Sequence, residues 1–194
     1  LEGKTSEAKK LVEQDFSIDT CTDFSLLNLM GYLLLAEKDY SSCTRIFEKY
    51  ILLAQQNEDK EHEHIGLHQL AMIYREQGNF HKALKLIEDE EKIIEEHFPN
   101  DNLKKAINNY EQGYVRLKLN NLDEALTFMN LSLEQSLETD DVISQACSYR
   151  GLGEIYLALE DTELSNRHFK RAIELFESVG EFEGIKEIEE LINR

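Results

Sequence analysis

The sequence predicts an all-α chain of helical hairpins packed side by side, on three observations. A single proline in 194 residues leaves long stretches without a helix breaker. Apolar residues recur at spacings of three and four, as in Leu26, Leu27, Met30, Leu33 and Leu34, which is the stripe a helix turns toward a core. Finally, one register of small and large residues recurs four times. Gly153 is matched by Gly113, Ala71 and Gly31, separated by 40, 42 and 40 residues. Eight residues after each stands an N-cap type, Asp161, Asn121, Asn79 or Asp39, whose side chain can accept from the free amides that open a second helix. Four residues further on is a small residue, Ser165, Ala125, Ala83 or Cys43, and four beyond that a large one, Phe169, Met129, Ile87 or Phe47.

Close packing explains the register. Two helices cross tightly only where a small residue lets the backbones approach, and large residues fill the volume around that point. The run from Tyr149 to Phe176 is the clearest copy: Tyr149, Leu152-Gly153 and Tyr156 on one helix, Ser165, Phe169 and Ala172 on the next. This pattern resembles the tetratricopeptide repeat (TPR) family, with Tyr149 in its Trp slot and Ser165 in its Ala slot. The resemblance implies a right-handed TPR superhelix, an α-solenoid, because a lone hairpin cannot bury its apolar face and needs neighbours.

Taken in order, residues 4–16 read as a half-repeat, a second helix with Ala8 in the small slot and Val12 in the large one. A helix without its hairpin partner points to a fragment lacking an upstream domain. Four complete hairpins follow at about 23–56, 60–97, 102–138 and 141–178. Gly78-Asn79 is a helix stop followed by a cap, and Pro99 breaks the chain before the third hairpin. That hairpin departs most from the pattern, with Asn109 and Arg116 in packing slots, and its Asn121 and Glu124 are spaced as a capping box. Polar groups in such slots mark either a thin place in the core or a binding position. A capping helix over 181–193 closes the single array, with Phe182, Ile185, Ile188 and Leu191 on one stripe.

The chain carries 39 acidic against 21 basic residues, a formal net charge of −18, which repels a phosphate backbone and excludes nucleic-acid binding through these residues. No run of apolar residues is long enough to span a membrane. Three cysteines, Cys21, Cys43 and Cys147, lie far apart without metal-like pairing and read as reduced thiols of a cytoplasmic protein. His64 and His68 share a helix face, but the surrounding residues are not a His-Glu-x-x-His motif and no third ligand is evident, so no metal site is expected and the histidines read as exposed or ligand-facing. There is no phosphate loop, nucleophile elbow or other catalytic constellation. The chain therefore reads as a non-enzyme without a cofactor.

In TPR arrays the first helix of each hairpin lines a concave face, at positions three before, one after and four after the glycine. Carried over, the resemblance places there Asn28, Tyr32 and Leu35; His68, Met72 and Arg75; Tyr110, Tyr114 and Leu117; and Arg150, Glu154 and Leu157. The three leucines read mainly as core. The other nine make a surface suited to an extended peptide, with Arg75 or Arg150 as partner for a free carboxylate.

Repeats of 40 to 42 residues exceed the 34-residue TPR consensus. In this the chain resembles the RRNPP-type peptide-pheromone receptors of Gram-positive bacteria, quorum-sensing regulators in which a DNA-binding helix-turn-helix domain precedes a TPR domain. That resemblance implies the effector-binding part of an intracellular peptide-responsive transcriptional regulator, with homodimerisation through the C-terminal repeats. Two alternatives stay open: an interaction scaffold or co-chaperone-like TPR module, whose carboxylate clamp is matched here only by Asn28, and a phosphatase-type relative that binds a response regulator.

Overall fold

The computed structural model describes residues 17–193, so the expected half-repeat over 4–16 lies outside the described residues. Among these there are nine α-helices and no strand: α1 (Phe24–Ala36), α2 (Tyr40–Gln56), α3 (Lys60–Glu76), α4 (Phe80–His97), α5 (Asn102–Lys118), α6 (Leu122–Leu137), α7 (Val142–Ala158), α8 (Thr162–Val179) and α9 (Phe182–Ile192). The fold is the all-α, TPR-type architecture that the register predicts. The helices fall into two compact units, divided within α4 between Ile93 and Ile94.

One turn design closes six of the helices. Lys38, Glu58, Gly78, Asn120, Glu160 and Gly180 all sit in the left-handed region, with φ between 54° and 72°. The amide of the following residue then returns to a carbonyl five residues back, as in Asp39 to Leu34 and Asp161 to Tyr156, both at 2.9 Å. In three of these turns that same residue is an aspartate that opens the next helix: Asp39, Asp59 and Asp161 accept from the amides of Ser42, His62 and Leu164 at 3.1, 3.0 and 3.0 Å. Stop and cap are thus adjacent residues, and the helices double back sharply.

Asn121 departs from the expected capping box. Its side chain makes no cap hydrogen bond, and Glu124 accepts instead from Arg116 Nε at 3.0 Å. The backbone amide that a capping-box glutamate would take is already bonded to the Arg116 carbonyl at 2.9 Å. The 7% exposed guanidinium of Arg116 meanwhile needs a counter-charge.

In the first unit, Leu27, Met30, Leu34, Ile46, Phe47 and Tyr50 form the core between α1 and α2. Cys43, in the small slot, also donates its thiol to the Gly31 carbonyl at 3.3 Å. Burial, with a smaller push from Asp39, raises that thiol to about 11, so it stays protonated and inert. In the second unit Ser165 makes the same bond to the Gly153 carbonyl, at 2.9 Å. The small slot therefore admits a neighbouring backbone and satisfies one of its acceptors.

The second unit holds the hairpins α5/α6 and α7/α8. Its polar packing-slot residues pair inside the first of these. Asn109 donates to Gln135 at 2.8 Å, while Arg116 donates to Gln112 Oε1 at 2.9 Å and lies 4.1 Å from the Phe128 ring centroid. Both are thus bonded inside the hairpin. On α9, Ile185, Ile188 and Leu191 pack against Phe169, Ala172 and Phe176, while Phe182 is 72% exposed.

Candidate functional site

In the second unit the sequence-nominated residues Tyr110, Tyr114, Arg150 and Glu154 come together. Tyr110 and Tyr114, one turn apart on α5, stack with centroids 6.2 Å apart. Arg150 on α7 donates one guanidinium nitrogen to the Tyr110 hydroxyl and another to Glu187 of α9. Its Nε lies 3.8 Å from Glu154, one turn on, and Glu154 also accepts from Lys118 Nζ at 3.3 Å. Lys118 in turn stands 4.6 Å from the Tyr114 ring centroid. Five residues of α5 and α7 thus set aromatic faces beside charged groups along one seam.

Burial opposes the charge on Arg150, but the Tyr110 hydroxyl, Cys147 and Glu187 outweigh it and hold the guanidinium more firmly protonated than usual. Burial raises the Tyr110 phenol above its usual value although Arg150 pulls it down, so the hydroxyl stays neutral. Neither group is poised for proton transfer near neutral pH.

Continuing toward the N-termini of α5 and α7, the seam opens into a hollow of about 180 Å³. Its walls are Ala106, Ile107, Tyr110 and Glu111 of α5, Ser132 of α6, and Ile143, Ser144 and Cys147 of α7. Sequence reasoning missed Lys118, Cys147 and Glu187. The first two follow from helical spacing, four after Tyr114 and three before Arg150, whereas Glu187 comes from a helix whose approach no spacing reveals.

In the first unit, Asn28 and Tyr32 lie on α1, and His68, Met72 and Arg75 on α3. Tyr32 is 48% exposed, and its hydroxyl accepts from Gln69 of α3 at 3.0 Å. Met72 is half-buried, Arg75 contacts Glu76 at 3.2 Å, and the shielded Asn28 Oδ1 has no hydrogen-bond donor among the described residues. The histidines differ from their expected exposure. His64 is buried, and it and His68 face the Glu90 carboxylate of α4 at 3.6 and 3.4 Å. Burial pushes Glu90 up, but the two imidazoles facing it prevail and hold it below the usual carboxylate value. His62 stacks on Phe24 with centroids 4.0 Å apart. Among the described residues no group of three is arranged to hold a metal ion, and no helix is long and apolar enough to cross a membrane.

A tetratricopeptide-repeat family model matches residues 105–178, which covers most of α5 through α8. No curated protein sequence matches the chain. Among solved structures, BtubC (BKLC) from P. vanneervenii superposes with a TM-score of 0.69 at 18% identity, covering 97% of this chain and 88% of that one. A putative kinesin light chain with nearly identical TPR-like repeats from Podospora anserina superposes with a TM-score of 0.69 at 15% identity, over 92% of this chain and 90% of that one. MamA from Desulfovibrio magneticus RS-1 gives 0.62 at 18% identity, over 91% and 88%. At such identities the likeness establishes a TPR-type fold and nothing about the ligand.

Proposed function

We propose that this chain is a protein-interaction module that binds a short extended peptide segment along the α5–α7 seam of its second unit. One observation carries the reading: Ile143, Cys147, Arg150 and Glu154 follow one face of α7, opposite Ile107, Tyr110, Tyr114 and Lys118 on α5. At a rise of about 1.5 Å per residue the track from Ile143 to Glu154 on α7 is roughly 16 Å long, the reach of about five residues of extended chain. Aromatic faces and charged donors spaced along such a track suit a peptide's side chains and its unpaired backbone groups.

The finer reading, an effector-binding domain of a cytoplasmic peptide-responsive regulator related to the pheromone receptors, is supported by the long repeat and by an acidic chain unsuited to holding DNA itself. A second copy docking on the exposed Phe182 would give the expected C-terminal homodimer, and the loss of a dimer in sedimentation of Phe182→Ser would locate it there.

The test is selection of a random heptapeptide display library on the 194-residue chain, followed by calorimetric titration of the selected peptides. Arg150→Ala and Tyr114→Ala should each weaken binding by about 1 kcal/mol or more, with the helical circular dichroism of the parent retained. Unchanged affinity in both variants would place any ligand on another face.

A further inference from the structure

The hollow at the head of the seam differs from the rest of it. Two aliphatic side chains stand at its mouth in open solvent, Ile107 at 37% and Ile143 at 49% exposure. Beneath them the walls close in: Ala106 and Ser132 are almost fully buried, and the Ser132 hydroxyl is already engaged by the Ala106 carbonyl and Ser148, both at 2.8 Å. The hollow therefore asks little hydrogen bonding of an occupant and offers it apolar wall. An apolar cavity of about 150 Å³ holds a benzene ring, so 180 Å³ accepts one large side chain and is too small for a drug-sized ligand.

The charges around the hollow are one-sided. Glu111, itself in the wall, with Asp141 and Glu187 act on the Cys147 thiol, opposed by Arg150, which is itself paired with Glu187 and lies 3.8 Å from Glu154. A chain of net charge −18 extends that field outward. An acidic or neutral segment gains nothing from it, whereas a cationic one is drawn in and held in register.

Resting on the peptide-binding reading above, we propose that this hollow is the anchor socket of the seam, and that its occupant is one large aliphatic or aromatic side chain of a positively charged peptide segment. Ile107 and Ile143 grip the side chain at the mouth, and the basic residues next to it in the segment face the surrounding carboxylates. The socket selects the residue, while the tyrosines and Arg150 hold the backbone that follows it.

Heptapeptides selected on the full chain at low salt test this assignment, titrated against the parent and the double variant Ile107→Ser, Ile143→Ser. Both isoleucines are exposed, so the fold should survive. The expected result is enrichment of sequences with one large apolar residue and net positive charge, bound about tenfold or more weaker by the double variant. A bound peptide should also slow alkylation of Cys147 while leaving Cys21, in the other unit, at its free rate, a readout that needs no variant. Selected peptides that bind the double variant as well as the parent, leave Cys147 equally reactive, or lack net positive charge would overturn the socket but leave peptide binding standing. A library with no enriched sequence would overturn both.

Discussion

Gly153 on α7 lies against the face of Phe169 on α8, so closely that a Cβ added to the glycine would stand 2.5 Å from the ring's Cδ1. Gly31 and Phe47 repeat the relation in the first unit, at 2.4 Å from Cε2. Phe169 is 1% exposed and Phe47 equally so, leaving neither ring space to retreat. Gly153→Leu should therefore cost at least about 3 kcal/mol or prevent folding, and Gly31→Leu should behave alike. At Gly113 the flexible end of Met129 stands at 3.0 Å and two backbone atoms, Ala125 O and Met129 N, at 3.2 Å, a looser fit that a shift of a few tenths of an ångström absorbs, so Gly113→Ala should be tolerated better. Urea denaturation of the three variants checks the order, and a Gly153→Leu protein as stable as the parent would break the packing register.

The shared turn makes a prediction of the opposite sign. Lys38, Glu58 and Glu160 adopt the left-handed conformation at φ of 58°, 54° and 63°, where Gly78 and Gly180 do so without penalty. A side chain there costs about 1 kcal/mol. Glu160→Gly should raise stability by about 0.5–1 kcal/mol, since the flanking amide-to-carbonyl bonds are backbone bonds and persist. A fall in the denaturation midpoint would show that the Glu160 side chain contributes more than its conformation costs.

These two relations mark where the sequence was readable. The recurrence of Gly31, Gly113 and Gly153 with their small and large partners reflects contacts within one hairpin, at fixed sequence distance, so periodicity exposes it. The turns were recognised only at Gly78-Asn79, because Lys38 and Glu160 reach the same backbone state without its usual residue. Pairings between hairpins were hidden altogether. Nothing in the sequence ties Arg150 to Glu187, since that contact depends on how the last helix seats on the hairpin before it, and the pairing of Glu90 with His64 and His68, although inside one hairpin, falls outside the small-and-large register that was read. Tyr110, Tyr114, Arg150 and Glu154 were legible as a group only because they share the hairpin register.

Glu90 should mark the acid limb of stability. It is 2% exposed, and its carboxyl is held below the ordinary 4.5 by His64 and His68. A carboxylate more acidic in the folded chain contributes stability that is complete above the unfolded value and is lost as pH falls through the folded one. Between about pH 5 and 3 the parent should therefore lose stability more steeply than Glu90→Gln. At pH 7 the same substitution should cost about 1–3 kcal/mol, because it removes a charged acceptor from two imidazoles. Denaturant titrations across this range decide the matter, and identical acid slopes would mean that Glu90 is not titrating against the pair.

The contact between Arg150 and Glu187 predicts competition within the seam. The Arg150 side chain is only 15% exposed, held by Tyr110 and Glu154, and it also pairs with a carboxylate from α9 that is itself 51% exposed. An exposed partner of this kind contributes little to stability, so displacing it is cheap. A peptide ending in a free carboxylate would use the same nitrogens in the same way. Glu187→Gln should then tighten binding of a selected peptide bearing a free C-terminus by a few-fold and leave its C-terminally amidated form unchanged, because only the first competes for Arg150. Added salt should weaken the carboxylate-specific part in the parent and the variant together. Equal effects of Glu187→Gln on the two peptide forms would show that Arg150 serves the seam as a structural cation and that the peptide's terminus lies elsewhere.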